Sequence, residues 1–441
     1  MDTLISNVTL VTMNEKMDVL FGAYLGIADG KIAYIGKTAP ESQPKTIIDG
    51  TGMVAMPGLI NCHTHLATTV LRNFVDDAEK REALEQLLTR QDKLDARAAK
   101  AAAQLAIAEC LRFGITSVSD LYYFPEATAQ AVKISGIKAN LALSAYRFID
   151  QNEDFDFEKD EQCQELVRLV DAWHGYDDNR IKIDGGIYAE YTSNYPLWEG
   201  IAGFAAEKGL GIQLHLSETA DEVESCEERT GLTPAELLSC HKVFSVPVTA
   251  TTCAHLTEAE RTTLGKYKAS AVATPIASAK MGAAATPIKD LVKAGMNVAL
   301  GTGGAAECGN LDMFEVMRYA ALLERQNAGD PAALPAVAPL MMATVCGARA
   351  QGRSQECGML KEGMDADIAL VDFSAPHLLP CHNVPAGLVF SAKGGDVAMT
   401  MVRGKILYQN GQFPTIDLGA AVAEIMEYAI PRLLGESKEE Q

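Results

Sequence analysis

The stretch Pro57-Gly58-Leu59-Ile60-Asn61-Cys62-His63-Thr64-His65-Leu66 decides the fold of this chain of 441 residues. It is an apolar run of strand length that ends in two histidines separated by one residue. Alternate side chains of a strand lie on one face, so His63 and His65 point the same way. At the carboxyl end of a barrel strand, that face is the barrel mouth, where two imidazoles suit a divalent metal ion.

Apolar runs of strand length continue along the chain and alternate with helical patterns. The runs lie at 58–62, 115–119, 139–145, 181–187, 211–216, 248–253, 270–274 and 297–301. The clearest helical patterns lie at 96–113, 161–173, 196–208, 257–268 and 311–325, and Thr257 to Glu260 has capping-box spacing. Eight such strands predict an α/β fold, a (β/α)₈ TIM-type barrel. The alternative, an open doubly wound sheet, would require a glycine-rich phosphate loop after its first strand, and the sequence has none.

Both ends of the chain contain sequence patterns typical of β-strands. An Asp29-Gly30 turn precedes a hairpin strand, and strand-like runs return at 366–372, 397–402 and 406–408. We therefore expect a small β-sandwich domain assembled from both termini. The predicted ranges are 1–56 and 357–415 for the composite β-domain, 57–356 for the barrel, and 416–441 for a C-terminal helix and tail.

Charge and composition limit the possible partners. The 58 acidic residues against 38 basic ones give a net charge of -20, which disfavours nucleic acid and anionic lipid. No signal peptide is recognisable and no apolar run approaches the ~18 residues of a membrane span. The ten cysteines include no C-x-x-C pair, so we expect a cytoplasmic protein with a small-molecule partner.

A third histidine ends the fifth strand. His215 lies in Gln213-Leu214-His215-Leu216-Ser217-Glu218, and a barrel would bring it to the same mouth as the first pair. Glu218 follows where the strand gives way to a loop, a position suited to proton exchange with a ligand.

These motifs resemble the amidohydrolase superfamily. The resemblance is to its aminohydrolase branch, which includes S-adenosylhomocysteine/methylthioadenosine deaminases and s-triazine hydrolases, and it covers almost the whole chain. The matching segments are Pro57 to Leu66, Val70-Leu71-Arg72 with Asp76-Asp77, His215 to Thr219, Leu300-Gly301-Thr302, Asn310 to Met313, and Gly363 to Ile368.

The resemblance implies a site with one divalent metal ion. In such enzymes two histidines of strand one, a histidine of strand five and an aspartate after strand eight hold zinc or iron, and a further histidine follows strand six. By this match His63, His65 and His215 are the ligands and Glu218 is the acid and base. Zinc is the expected metal, with iron or manganese as alternatives.

Several positions depart from the family pattern. Gly303 stands where the aspartate is expected, and Thr252 stands where the histidine after strand six is expected. Ala273-Thr274-Pro275 and Ile187-Tyr188-Ala189 replace two histidine-bearing triplets, and the stretch 78–89 has no aromatic residue. Losing a base or a charge-stabilising group typically costs about 10²–10⁴ in rate.

Other residues are candidates for the altered site. Cys253 with His255, if strand six slips by one residue, or Glu307 with Cys308 could replace the missing ligand. We predict five substrate-binding residues, with a salt-bridged loop anchor as the alternative for the first: Arg72, Tyr188, Thr252, His255 and Glu307.

Two functions are consistent with this pattern. The first is a hydrolase of carbon–nitrogen bonds other than peptide bonds, most simply a metal-dependent deaminase of a purine-like or heteroaromatic amine. The second is a catalytically silent or remodelled homologue without metal, which binds a small ligand or pairs with an active subunit. By resemblance, we expect the protein to form a homo-oligomer.

Overall fold

A computed structural model describes residues 1–74, 76–77, 86–87, 89–147 and 155–435 of the chain. Most of the aromatic-free stretch 78–89 and the tail beyond 435 lie outside the described residues. The chain opens with strands of a β-domain. They are β1 (Thr3–Val11), β2 (Val19–Ala28), β3 (Lys31–Gly36), β4 (Thr46–Asp49) and β5 (Met53–Pro57).

Eight parallel strands follow within the described residues, and each pairs with the next in chain order. They are β6 (Leu59–Thr64), β7 (Ile115–Tyr122), β8 (Lys138–Leu143), β9 (Ile181–Ile187), β10 (Ile212–Leu216), β11 (Val248–Thr252), β12 (Ser270–Ala273) and β13 (Asn297–Leu300). Every strand coincides with one predicted apolar run, so the barrel prediction is confirmed. The strands are rich in apolar residues because barrel strands are largely buried on both faces.

The residues that follow β13 are hydrogen-bonded to residues within β6. The Gly303 amide donates to the carbonyl oxygen of His63 at 3.0 Å, and the Thr302 amide donates to Oδ1 of Asn61 at 3.0 Å. Gly301 makes this approach possible, because a Cβ there would lie 2.8 Å from the backbone nitrogen of His63. The first histidine is thus held at the seam of the barrel.

The five helices predicted from the sequence begin within two residues of the predicted places. Thr257 caps its helix as expected: the Glu260 amide donates to its Oγ1 at 3.3 Å, and its own amide donates to Oε2 of Glu260 at 2.5 Å. The helices up to the end of the barrel are α1 (Ala96–Arg112), α2 (Pro125–Ser135), α3 (Glu161–Trp173), α4 (Tyr195–Lys208), α5 (Ala220–Thr230), α6 (Pro234–Cys240), α7 (Glu258–Lys266), α8 (Pro275–Lys280), α9 (Ile288–Lys293), α10 (Ala305–Cys308), α11 (Met313–Ala328), α12 (Val337–Met342) and α13 (Val345–Ala350).

Strands from the carboxyl-terminal part complete the β-domain. They are β14 (Ile368–Asp372), β15 (Val397–Val402) and β16 (Lys405–Gln409). The sheet runs β16-β15-β14-β5-β1-β2-β3, with β4 beside β1, and side chains such as Ile5, Leu25, Ile368 and Met399 form its core. Both ends of the chain therefore build one small β-domain, as the sequence predicts, while the predicted domain ranges stay a prediction.

The remaining helices include α14 (Val384–Phe390), α15 (Leu418–Glu424) and α16 (Ile430–Leu434), with a π-helical turn (Ile425–Ala429) before α16. Side chains of this C-terminal segment, such as Ile425 and Leu433, belong to the same buried cluster as alanines of α1. Among the residues that the structure describes, no helix combines the length and apolar character needed to cross a membrane.

A buried ion cluster joins the β-domain to the end of the barrel opposite the mouth. Lys138, at the start of β8, is fully buried and lies 2.7 Å from Oδ2 of Asp365 and 2.6 Å from Oδ2 of Asp367. Lys31 and Arg403 also contact Asp365, at 2.6 and 3.2 Å. Burial raises the pKa of Asp365, but the neighbouring Lys138, Lys31 and Arg403 together outweigh it and bring the pKa to about 2.

Candidate metal centre and active site

Three histidines meet at the carboxyl ends of β6 and β10. The His63 ring centroid lies 4.7 Å from that of His65 and 4.8 Å from that of His215, and the last two are 5.7 Å apart. One ring nitrogen from each lies within 4.8 Å of the others. Within the described part of the chain, the histidine, cysteine or acidic side chains that lie close enough together to share a metal ion are these three histidines.

Backbone carbonyls orient two of these rings. Nδ1 of His65 lies 2.8 Å from the oxygen of Leu121, and Nδ1 of His215 lies 2.9 Å from the oxygen of Tyr188. Because a carbonyl oxygen only accepts, Nδ1 carries the proton in both rings. The opposite nitrogen, Nε2, therefore keeps its lone pair for a metal ion, as in protein metal sites where the second ring nitrogen is anchored.

The environment of the cluster keeps the His63 and His65 imidazoles neutral. Burial lowers the pKa of His63 well below its usual value, and the neighbouring His65 and His215 lower it further. Burial also brings the pKa of His65 to about 3. Neutral imidazole is the form that binds metal, so these residues fit a divalent ion such as zinc.

Glu218 lies in the loop that follows β10, and its side chain is half-buried. Its charge contributes to the raised pKa of Tyr188 and Tyr191, after the larger effect of burial on both groups. Glu218 therefore lies near Tyr188, whose ring packs 4.9 Å from the His215 ring.

Glu222 is a residue of this loop that the sequence analysis missed. Its Oε1 accepts from the Ser217 amide at 3.1 Å, and its Oε2 accepts from the Glu218 amide at 2.7 Å. Burial raises its pKa to about 7. The signal was the Thr219-x-x-Glu222 spacing at the start of α5, where Thr219 accepts from the Glu222 amide. The carboxylate fixes the loop that carries Glu218.

Tyr122 is a second residue that the sequence analysis did not single out. It ends β7, and its ring lies 5.8 Å from the His65 ring and 5.0 Å from the Tyr123 ring. Its hydroxyl group is buried and has no hydrogen-bond partner among the described residues. The adjacent tyrosines at the end of a barrel strand were the available signal. Tyr122 packs against the His65 ring and Tyr188 packs against the His215 ring, so aromatic side chains flank the histidine cluster.

The end of β11 holds Thr252 and His255. Thr252 is buried with a left-handed φ of +73°, and its carbonyl oxygen accepts from Oγ1 of Thr286 at 2.7 Å. The His255 amide donates to the oxygen of Ser217 at 3.0 Å in the following turn. The slipped register is wrong, because β10 and β11 pair without a shift from Ile212 to Leu216. Cys253 instead packs in the apolar core.

Arg72 is engaged away from the histidine cluster. Its Nη1 donates to Oε1 of Glu109 at 3.2 Å and its Nη2 donates to Oε2 of the same carboxylate. Glu109 Oε1 also accepts from the Leu311 amide at 3.0 Å, so the pair anchors two loops. This is the salt-bridged arrangement that the sequence left open, and a substrate-binding role for Arg72 stays a prediction.

The segment after β13 carries the vacant aspartate position. Gly303 has a φ of +75°, and α10 begins directly after Gly304. Cys308 donates its thiol to the oxygen of Asn310 at 2.8 Å. Glu307, by contrast, has a buried Oε2 without a hydrogen-bond partner among the described residues.

Known proteins are similar in sequence to this chain over nearly its full length. The amidohydrolase family matches residues 54–407. The chain is 36% identical over 426 residues to a 5-methylthioadenosine/S-adenosylhomocysteine deaminase of Moorella thermoacetica, which covers 96% of this chain and 97% of that protein. It is also 36% identical over 429 residues to a 5'-deoxyadenosine deaminase of Methanosarcina mazei, with 97% and 98% covered.

Solved structures share the architecture. An adenosine deaminase from Xanthomonas campestris with bound zinc superposes with a TM-score of 0.92 at 29% identity, covering 98% of this chain and 99% of that one. An atrazine chlorohydrolase from Arthrobacter aurescens complexed with zinc gives a TM-score of 0.90 at 25% identity, with 97% and 100% covered. Both relatives hold zinc in the same overall fold.

Proposed function

This chain belongs to the amidohydrolase family, and from that premise we propose that it is a metal-dependent hydrolase of carbon–nitrogen bonds other than peptide bonds. Its reaction is the deamination of a purine-like or other heteroaromatic amine. The observation that carries the proposal is the cluster of His63, His65 and His215, with Nδ1 of two rings bound to backbone carbonyls. Relatives that match nearly the whole chain are named as deaminases of adenosine derivatives, which supports this substrate class.

Different residues of the chain would bind the metal ion, transfer a proton and contact the substrate in such a reaction. His63, His65 and His215 would hold the ion through neutral ring nitrogens. A bound divalent ion supplies Lewis-acid activation of water near neutral pH. Glu218 delivers a proton to the ring nitrogen of the amine, and Tyr188 covers the substrate from the side of His215.

Further parts of the proposal concern the metal and the state of the protein. Zinc is the metal we propose, since the solved relatives named above contain it, with iron or manganese as alternatives. Thr252, His255 and Arg72 are kept as candidate substrate contacts. We also propose a homo-oligomer in a reducing cytoplasm, where the ten free cysteines would stay unpaired.

Gly303 and Thr252 favour the second function, a catalytically silent homologue. Each stands where the family carries a group that acts on water or on developing charge, and such losses cost about 10²–10⁴ in rate each. A silent homologue would bind a small ligand or pair with an active subunit, and it would not need a metal ion.

One experiment separates the two functions. The protein is purified without added metal, and zinc, iron and manganese are counted per chain in the wild type, His63→Ala, His65→Ala and the exposed control His382→Ala. Metal near one ion per chain that disappears only in the first two variants supports the hydrolase. Ammonia release is then measured with 5'-deoxyadenosine, 5'-methylthioadenosine and S-adenosylhomocysteine, followed by amino-pyrimidines and triazines.

The contrary result is equally definite. A folded wild-type protein that purifies without metal and takes up none on titration with zinc, iron or manganese contradicts the hydrolase proposal. The silent homologue is then the better description.

A further inference from the structure

We infer that Glu307 supplies the carboxylate that the metal site lacks at Gly303, acting beside the three histidines and not among them. This inference rests on the proposed function. Glu307 lies four positions after Gly303, on the short helix α10. Among the described residues, the closely spaced ligand group consists of the three histidines, and for that reason we place Glu307 next to it.

The fold turns Glu307 back toward the site. The short helix α10 begins after Gly304, and the Glu307 amide donates to the Gly304 oxygen at 3.0 Å. Its carboxylate lies against the backbone of Gly304. A Cβ added there would be 2.4 Å from Oε2 of Glu307, 2.3 Å from Oγ1 of Thr68 and 3.1 Å from Cβ of His65. The carboxylate therefore occupies the side of Gly304 that faces His65.

This carboxylate is buried and incompletely satisfied. Its Oε2 has no hydrogen-bond partner among the described residues. Burial raises the pKa of Glu307, Lys280 opposes this effect, and the charge of Glu218 adds to it. The nearby Lys280 ammonium is itself committed to Asp76 at 2.5 Å and to the Ala306 oxygen at 3.2 Å. A buried acceptor without a partner indicates that a cation or a proton donor completes the site.

Glu307 also shares its surroundings with other groups of the site. Its charge contributes to the raised pKa of both Tyr122 and Tyr188, after the larger effect of burial. Those tyrosines pack against the rings of His65 and His215. Three neutral histidines leave the two positive charges of a divalent ion uncompensated, and a buried carboxylate beside them offsets part of that charge.

Glu307 would also close the proton balance of the reaction. As the water oxygen bonds to the amine-bearing carbon, one O–H bond breaks, and its proton moves to Oε2 of Glu307. That proton then passes to the amine as the carbon–nitrogen bond breaks, and ammonia leaves. The second water proton returns to Glu218, which has given its own proton to the ring nitrogen of the substrate. Glu307 and Glu218 thus complete one proton cycle without an aspartate at position 303.

Zinc affinity tests the inference directly. We would measure the zinc dissociation constant against a competing chelator for the wild type, Glu307→Gln and Glu227→Gln, an exposed carboxylate on α5. Glu307→Gln is expected to bind zinc 10–100-fold more weakly, as roughly observed for supporting residues of metal sites, while Glu227→Gln matches the wild type. With the metal loaded, kcat of Glu307→Gln should fall about 10²–10⁴-fold.

A second variant, Gly304→Ala, provides the test if Glu307→Gln does not fold. In Gly304→Ala the added methyl group would overlap both Oγ1 of Thr68 and Oε2 of Glu307, so the carboxylate must move and zinc binding should weaken in the same direction. Zinc affinity within twofold of the wild type in folded Glu307→Gln, or in folded Gly304→Ala if the first variant does not fold, overturns the inference. If the wild type itself binds no zinc, the proposed function fails first, and the two failures are therefore distinguishable.

Discussion

The backbone amide of Gly303 lies 3.0 Å from the carbonyl oxygen of His63 and donates a hydrogen bond to it. The position without a site carboxylate is therefore held directly against the first histidine of the cluster. Its φ of +75° is left-handed, and a Cβ built there would meet Ala277 Cβ at 3.3 Å. A side chain there would press slightly on Ala277, and the left-handed backbone disfavours one.

Gly303→Asp should restore a carboxylate at modest cost. A non-glycine residue in the left-handed region loses roughly 1–2 kcal/mol, and aspartate is among those that tolerate it best. We expect a folded protein that binds zinc at least tenfold more tightly than Gly303→Ala, its strain-matched control. In the double variant with Glu307→Gln, the aspartate should recover the lost zinc affinity. Equal zinc affinity of Gly303→Asp and Gly303→Ala would contradict this expectation.

Tyr188 should affect the substrate and leave the metal in place. Its carbonyl oxygen holds His215, while its ring packs on the same imidazole, so replacing the side chain spares the backbone contact. Tyr188→Ala should keep its zinc content and lose about 1–3 kcal/mol of stacking, roughly 5–150-fold in kcat/KM. Steady-state kinetics with metal analysis provide the check, with the exposed Tyr319→Ala as control. Loss of zinc from Tyr188→Ala would mean that the ring itself supports the cluster.

Glu222 should make stability depend on pH between 4.5 and 7. Burial raises its folded pKa to about 7 from the usual 4.5 of a glutamate, so the folded state holds a proton that the unfolded state has released. The free energy of unfolding therefore falls as the pH rises through this window, by an amount of order 2 kcal/mol. Urea unfolding at pH 5 and pH 8 should show this fall in the wild type and in the exposed control Glu224→Gln. The fall should be absent from Glu222→Gln, and an unchanged pH dependence in that variant would assign it to other groups.

Lys138 should be essential for the joint between the two domains. Lys138→Met leaves Asp365 and Asp367 buried without their shared cation, which costs about 3–5 kcal/mol for a broken buried pair. Lys31→Met removes another partner of Asp365, but that lysine side chain is 54% exposed, so its loss should cost under about 1 kcal/mol. Chemical denaturation measures both free energies of unfolding. Similar losses in the two variants would show that the buried lysine has no special role.

The sequence determined the barrel and the pairing of the first two histidines. The eight apolar runs mark the eight strands because strand burial on both faces is a local property of composition. His63 and His65 share a face because side chains of a strand alternate with a period of two. The capping box at Thr257 is equally local, and it placed the start of α7.

The tertiary structure decided which distant residues meet. His215 is 150 residues from His65, and only the closure of the barrel sets their rings 5.7 Å apart. The choice among Cys253, Cys308 and Glu307 beside that cluster depended on the register of β11 and the turn into α10. Local patterns fix periodicity and caps, whereas the direction of a loop side chain depends on packing between segments far apart in sequence, and a single sequence does not encode that in any local repeat.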